Sequence, residues 1–314
     1  MSKPVGPIPN GYEALDGELA IGGRKASDLV ESTGKTPLFV YSRAHFDTRM
    51  AQLRAVLPSR IGVNYAIKAN PHADVLAHME PLVDGFDIAS SGELKLTLDA
   101  GIDPARVSFA GPGKRDDELE PAIAAGVTLN CESEGEAARA LAISERLGKR
   151  ARMAIRVNPD FELKGSGMKM GGGAKPFGVD AERVPDLARD IIAKGADWRG
   201  LHIFTGSQTL SSDAIIEAQF NVLNLASELA CEIGALLPKL NMGGGFGIPY
   251  FPNDTALDLD AVGAALRGMV ENLPVELENT ELCLELGRYL VGEAGVYLCR
   301  VIDRMVSRGV TYLE

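Results

Sequence analysis

The sequence predicts an α/β fold: a closed (β/α)8 barrel of the TIM type, entered through an N-terminal arm. Three observations carry this expectation. From Thr36 onward, short β-type apolar runs alternate with longer segments of helical period. Eight strand–helix units follow a lead-in strand, and strands joined by crossover helices run parallel. The competing architecture, an open doubly wound sheet, has fewer strands and a Gly-rich first turn, which is missing after 62–67.

The elements follow in order. Residues up to about Gly34 are rich in Gly and Pro and then acidic, which reads as an irregular arm with one short strand. Strands are predicted over 38–41 (the lead-in), 62–67, 85–89, 107–110, 127–130, 151–157, 200–205, 239–242 and 282–286. Helices are predicted over 73–83, 91–100, 116–125, 133–147, 184–193 and 214–233. Gly101, Gly126, Gly148, Gly195 and Gly234 stand at or just past five of their ends, where a left-handed cap favours glycine. Residues 164–178, KGSGMKMGGGAKPFG, follow the fifth barrel strand and predict a mobile loop near the mouth. That loop is either plain surface or a gate for substrate.

The 314 residues allow a large core and one or two domains, and 46% hydrophobic with 24% charged residues is ordinary soluble-globular composition. A net charge of -11 leaves no basic surplus to displace counterions, which argues against a nucleic-acid partner. Cys131, Cys231, Cys283 and Cys299 are scattered without a CxxC pair, so reduced thiols in a cytoplasm are expected. The opening MSKPVGPIPNGYEALDGEL lacks the apolar stretch of a signal peptide, and no run approaches bilayer-spanning length, so no membrane partner is expected.

In such a barrel, residues just past each strand's C-terminal end converge on one mouth. Here they are Lys68 in YAIKANP, Asp87 and Glu93 in FDIASSGE, Lys114 in GPGK, Glu132 in CES and Arg156 in RVNP. His202, Phe204, Ser207 and Gln208 follow in HIFTGSQ, then MGGGFG, then Glu285 and Arg288 in ELGR. A lysine desolvated at Lys68 can act as a nucleophile or Schiff-base amine, or it can snorkel to solvent. Gly243, Gly244 and Gly245 let backbone N–H groups approach an anion closely, as a phosphate nest to which Ser207 and Arg288 could add donors. A dinucleotide turn or a tight bend is the alternative, although Asp258 and Asp260 lie in a polar loop rather than at a strand end. Glu285 needs a partner if buried: a pyridinium N–H or Arg288 would serve. TGKT at 33–36 lacks the upstream glycine of a P-loop. His45, His72 and His78 read as surface or helix positions. No ligand cluster predicts a metal, and neither GxSxG nor HExxH occurs.

In this order, YAIKANP, FDIASSGE, GPGK, ES, RVNP, GSQ, GGGFG and E-x-GR resemble the fold-type III pyridoxal-phosphate decarboxylases. These are the diaminopimelate, ornithine and arginine decarboxylases, built on an alanine-racemase-like barrel. The resemblance runs from about Thr36 to Arg288. It implies a pyridoxal 5'-phosphate cofactor bound as a Schiff base to Lys68, with Glu285 on the ring nitrogen, and these two as the catalytic residues. It further implies Asp87 and Glu93 near the cofactor, Arg156 beneath its ring, and Ser207, Gly243, Gly244, Gly245 and Arg288 on its phosphate. The implied activity is decarboxylation of an amino acid by a cytoplasmic homodimer with a shared active site. Two departures stand out. The family histidine two residues before the Gly-Ser pair is Phe204 here, while His202 matches a neighbouring position of the diaminopimelate branch. This looks like the branch of biosynthetic clusters, some of whose members act on modified or carrier-bound amino acids. ELGR replaces EPGR with its spacing kept. An amino-acid racemase on the same barrel would pair the ring nitrogen with arginine, which Glu285 argues against. A non-catalytic homologue that only binds the cofactor is the other alternative. Family members continue into a β-domain that contributes to the partner's site. The expected layout is therefore an arm over 1–35, the barrel over 36–290, and the incomplete start of that β-domain over 291–314.

Overall fold

The computed structural model describes residues 9–314. The arm is more regular than its composition suggested. Strands β1 (Glu13–Leu15), β2 (Glu18–Ile21) and β3 (Arg24–Lys25) form an antiparallel sheet, and α1 (Ala26–Thr33) ends at Gly34. The glycines that read as irregular chain instead occupy tight hairpin turns: Gly17, Gly22 and Gly23 all have positive φ. The first eight residues of the predicted arm lie outside the described residues. The lead-in strand β4 (Leu38–Tyr41) is followed by α2 (Arg43–Val56), a helix absent from the expectation. It buries Phe46, Met50 and Leu53, a stripe at helical spacing.

The barrel alternates β5 (Ile61–Ala66), α3 (Ala73–Met79), β6 (Gly85–Ile88), α4 (Ser91–Asp99), β7 (Val107–Phe109), α5 (Asp116–Ala125), β8 (Thr128–Cys131), α6 (Glu134–Leu147) and β9 (Arg152–Asn158). Two short strands, β10 (Met168–Lys169) and β11 (Val179–Asp180), interrupt the next crossover before α7 (Val184–Ala193). Then come β12 (Asp197–Ile203), β13 (Gly206–Ser207), α8 (Ser212–Ile233), β14 (Lys239–Asn241), α9 (Leu259–Glu271) and β15 (Glu281–Leu286). The parallel ladder runs β5, β6, β7, β8, β9, β12, β14, β15 and closes on β5. The predicted (β/α)8 barrel is therefore the observed fold. After α10 (Arg288–Val291), β16 (Gly295–Leu298) returns to pair antiparallel with β4, and β17 (Arg304–Ser307) and β18 (Val310–Leu313) form a hairpin.

Local chemistry explains the element ends. Ser90 and Ser133 cap α4 and α6 by accepting from the Glu93 and Glu136 N–H groups. Gly126, Gly148 and Gly234 adopt left-handed φ as direct C-caps, while Gly101 and Gly195 follow one residue beyond theirs. Three elements differ clearly from expectation. The helix predicted over 73–83 stops at Met79. The sixth strand runs Asp197–Ile203 rather than 200–205, with a bulge between Trp198 and Gly200. The helix α9 was not expected, and Asp258 is its N-cap and Asp260 its first turn rather than a polar loop. Outward strand residues such as Ile61, Val63, Tyr65, Phe86 and Phe109 are fully buried beneath the helices, each worth roughly 1.5–3 kcal/mol. The barrel interior is polar by contrast, with Asn64, Asp87, Asn130, Asn241 and Glu285 all buried.

Candidate active site

A cavity of about 270 Å³ opens among the C-terminal strand ends. Lys68, Asp87, Arg156, His202, Phe204 and Glu285 line it, with Met170 and Phe177 from the loop after β9. Lys68 stands in a single helical turn directly after β5. That turn is fixed by Ile67, which is fully buried, and by Tyr65, whose hydroxyl donates to the Asn70 carbonyl at 2.9 Å. The Lys68 side chain remains 58% exposed, and its Nζ lies 3.7 Å from Glu285 Oε1.

Glu285 is buried near the end of β15, and its other oxygen lies 3.0 Å from His202 Nε2. That contact is too poorly aligned to satisfy either atom as a hydrogen bond, yet close enough for charge to act across it. Burial alone would raise the Glu285 pKa. His202, Lys68 and Arg156 outweigh it and hold the carboxyl well below the usual carboxylate range. Asp87 moves the other way: burial, then the Glu285 charge, push it up to about 8. Two carboxylates in one cavity thus differ in charge at neutral pH.

Arg156 Nη1 donates to Glu132 Oε1 at 2.8 Å, both side chains being buried. Its guanidinium faces the rings of Phe177 and Phe204 at 5.0 and 6.0 Å. Glu132 also accepts from the Gly111 and Gly178 N–H groups, so one carboxylate clasps two loops to Arg156. Gly178 has φ +79°, and a Cβ there would lie 2.9 Å from the Arg156 carbonyl oxygen. The expected mobile loop over 164–178 is tethered: its β10 pairs with β13, Met168 opposite Ser207. Glu132 is readable from the sequence at the mouth but without a role, and Met170 and Phe177 go unrecognised there as wall residues. The aromatic inside the Gly-rich run was the available signal for Phe177.

The remaining predicted residues do not line the cavity. Gly243 and Gly245 have φ +65° and +85°, and a Cβ on Gly244 would sit 2.3 Å from the Glu285 carbonyl oxygen. The triplet abuts the wall directly: the Glu285 N–H donates to the Gly243 carbonyl at 2.8 Å, and a Gly243 Cβ would meet the Phe204 ring at 3.1 Å. Ser207 lies in β13, and Arg288 opens α10 with its guanidinium 5.6 Å from the Tyr250 ring centre. Glu93 accepts from the Ala89 N–H at 2.7 Å and tightens the turn into α4. Lys114 lies inside the wall rather than at the mouth, 2.7 Å from Glu136 with both side chains 2% exposed. Among the described residues, no group of His, Cys, Asp and Glu could hold a metal ion. No helix there is long and apolar enough to cross a membrane.

Comparison with known proteins matches this geometry. Residues 43–292 fit the family model described as pyridoxal-dependent decarboxylase, pyridoxal binding domain. The chain is similar to the L-glutamyl-(BtrI acyl-carrier protein) decarboxylase of Niallia circulans, 32% identical over 89% of this chain and 66% of the relative. It is similar also to the diaminopimelate decarboxylase of Methanothermobacter thermautotrophicus, 33% identical over 91% of this chain and 67% of the relative. Among solved structures, diaminopimelate decarboxylase from Helicobacter pylori complexed with L-lysine superposes with a TM-score of 0.80 at 28% identity, covering 91% of this chain and 72% of that one. The chain spans about two thirds of the length of the two sequence relatives.

Proposed function

The chain belongs to the family of pyridoxal-dependent decarboxylases, and from that premise we propose that it removes the carboxyl group of an amino acid, free or carrier-bound, using Lys68 and Glu285. The observation that carries this reading is the Lys68 amine, 3.7 Å from a buried anionic carboxylate across a cavity with an aromatic wall. Pyridoxal phosphate, when bound, supplies an aldehyde for an amine and a ring that accepts the electron pair left as CO₂ departs.

The residues present fit that group. Glu285 Oε2 is buried without an aligned donor, which suits a ring N–H, and its low pKa keeps it an acceptor across neutral pH. The cradle at Gly243, Gly244 and Gly245 admits no side chain, and the Gly244 and Gly245 N–H groups would serve a phosphate, with Ser207 and Arg288 as further donors. Lys68 offers the attaching amine. Arg156, held by Glu132, and Phe204 would flank the ring and exclude water. Glu285, in the position where a racemase would carry arginine, favours decarboxylation over racemisation.

The substrate reading rests on the relatives' names: one acts on a glutamyl carrier protein, and another was crystallised with L-lysine. We read 36–290 as the cofactor-binding domain, with the flanking segments 1–35 and 291–314 as parts of a β-domain. The assembly we propose is a cytoplasmic homodimer, and the four free cysteines suit a reducing compartment. The test is CO₂ release by full-length protein from acidic and basic amino acids, free and carrier-bound. Lys68→Ala should lose the borohydride-reducible visible band and depress CO₂ release by roughly 10³-fold or more. A Lys68→Ala protein that keeps the reducible band refutes the assignment.

A further inference from the structure

The barrel has a second opening, at the N-terminal ends of its strands and opposite the Lys68 cavity. A narrow pocket of about 40 Å³, room for about three waters, is rimmed there by Arg106, Arg152, Arg199 and Lys239. Arg152 opens β9, Lys239 opens β14, and Arg106 immediately precedes β7. Branched apolar layers usually fill a barrel at this depth. Here the pocket is roofed by polar side chains, among them the buried Asn64 and Asn241.

The cations differ in how far the chain answers them. Arg106 is well served by the Glu80 carboxylate and by the Glu80 and Val83 carbonyls. Lys239 lies 2.6 Å from Glu281. Among the described residues, Arg152 and Arg199 share one carboxylate within 4 Å, Asp197, at 3.8 and 3.9 Å. Arg152 Nη1 reaches the Gly126 carbonyl, but the Nε of each arginine is buried with no acceptor. Asn241, 5% exposed, adds a third orphan donor. Its Oδ1 takes the Gly243 N–H at 3.0 Å, so its Nδ2 is the free end. Asn64 Oδ1 is also unpaired, and a turn of that amide would present an NH₂ instead. Three buried donors, two of them on half-answered cations, are costly without an acceptor.

We propose that this pocket binds a small monovalent anion of halide size, held by Arg152, Arg199 and Asn241. Such an ion satisfies the three donors at once and offsets the crowded cations. It would also temper the field that Lys239 directs at Asp87 on the cavity side. The site is separate from the glycine cradle, so the test uses the pyridoxal-phosphate-loaded chain, in which that cradle is filled. Crystals grown with bromide in place of chloride should show an anomalous peak within hydrogen-bond reach of both Nε atoms and Asn241 Nδ2. In solution, exchanging gluconate for chloride at constant ionic strength should raise the melting temperature with the logarithm of chloride concentration. Arg199→Met should abolish both the peak and the chloride dependence. If that variant does not fold, Lys239→Met should weaken the dependence several-fold. Water alone in the pocket overturns the proposal, as does an equal chloride dependence in wild type and variant. A peak without any chloride-dependent melting marks an adventitious ion only and overturns it too.

Discussion

The opposed shifts of Asp87 and Glu285 have a consequence for stability. Asp87 has a folded pKa above its unfolded one, so the folded state binds the extra proton between the ordinary carboxylate range and about 8. Its contribution is present in acid and is lost as pH rises through that window. Asp87→Asn should therefore melt with the parent in mild acid and outlast it in alkali, by roughly 1–3 kcal/mol. Thermal melts of both proteins across pH measure this, and parallel curves would contradict it. Six residues that line the cavity were legible as neighbours because each stands at or near the end of a strand, and a barrel gathers strand ends. The Glu132 clasp was not legible. It joins three segments through backbone N–H groups at Gly111 and Gly178, and a backbone donor leaves no mark on a sequence.

Elements were legible where apolar residues dominate and obscure where charge dilutes them. In α2, Arg43, Asp47, Arg49 and Arg54 surround a narrow apolar stripe, and the segment went unread. Its partner α9 is largely apolar and was missed for another reason: Asp258 and Asp260, its N-cap and first turn, read as a polar loop. The two helices meet closely: a Cβ on Gly263 would lie 2.7 Å from the Val56 carbonyl oxygen. Gly263→Val should force them apart at a cost of roughly 1–3 kcal/mol in a urea titration. The α5–α6 side of the barrel depends on Lys114, which also donates to the Gly111 and Asn130 carbonyls. Lys114→Met strands the buried Glu136 and should cost roughly 3–5 kcal/mol, most of it recovered in Lys114→Met/Glu136→Leu. A double variant as unstable as the single one would show that the carbonyl contacts dominate.

At the scale of the molecule, closure was readable from a count of eight repeating units, because each unit is local. The β4–β16 pairing was not, since Tyr41 meets Gly295 across most of the chain. The β17–β18 hairpin turns Val306, Val310 and Leu313 to solvent, at 57%, 53% and 65% exposure. Exposed apolar strands associate. Replacing all three by Thr should reduce concentration-dependent sedimentation while leaving the barrel's melting temperature unchanged.

The single rung between the Glu285 N–H and the Gly243 carbonyl joins the ends of two neighbouring strands. On the proposed reading, it fixes the span from the glycine cradle to the carboxylate as rigidly as a caliper. Ring-bearing phosphates with a longer or shorter arm would then touch one jaw and miss the other, so the backbone itself selects by length.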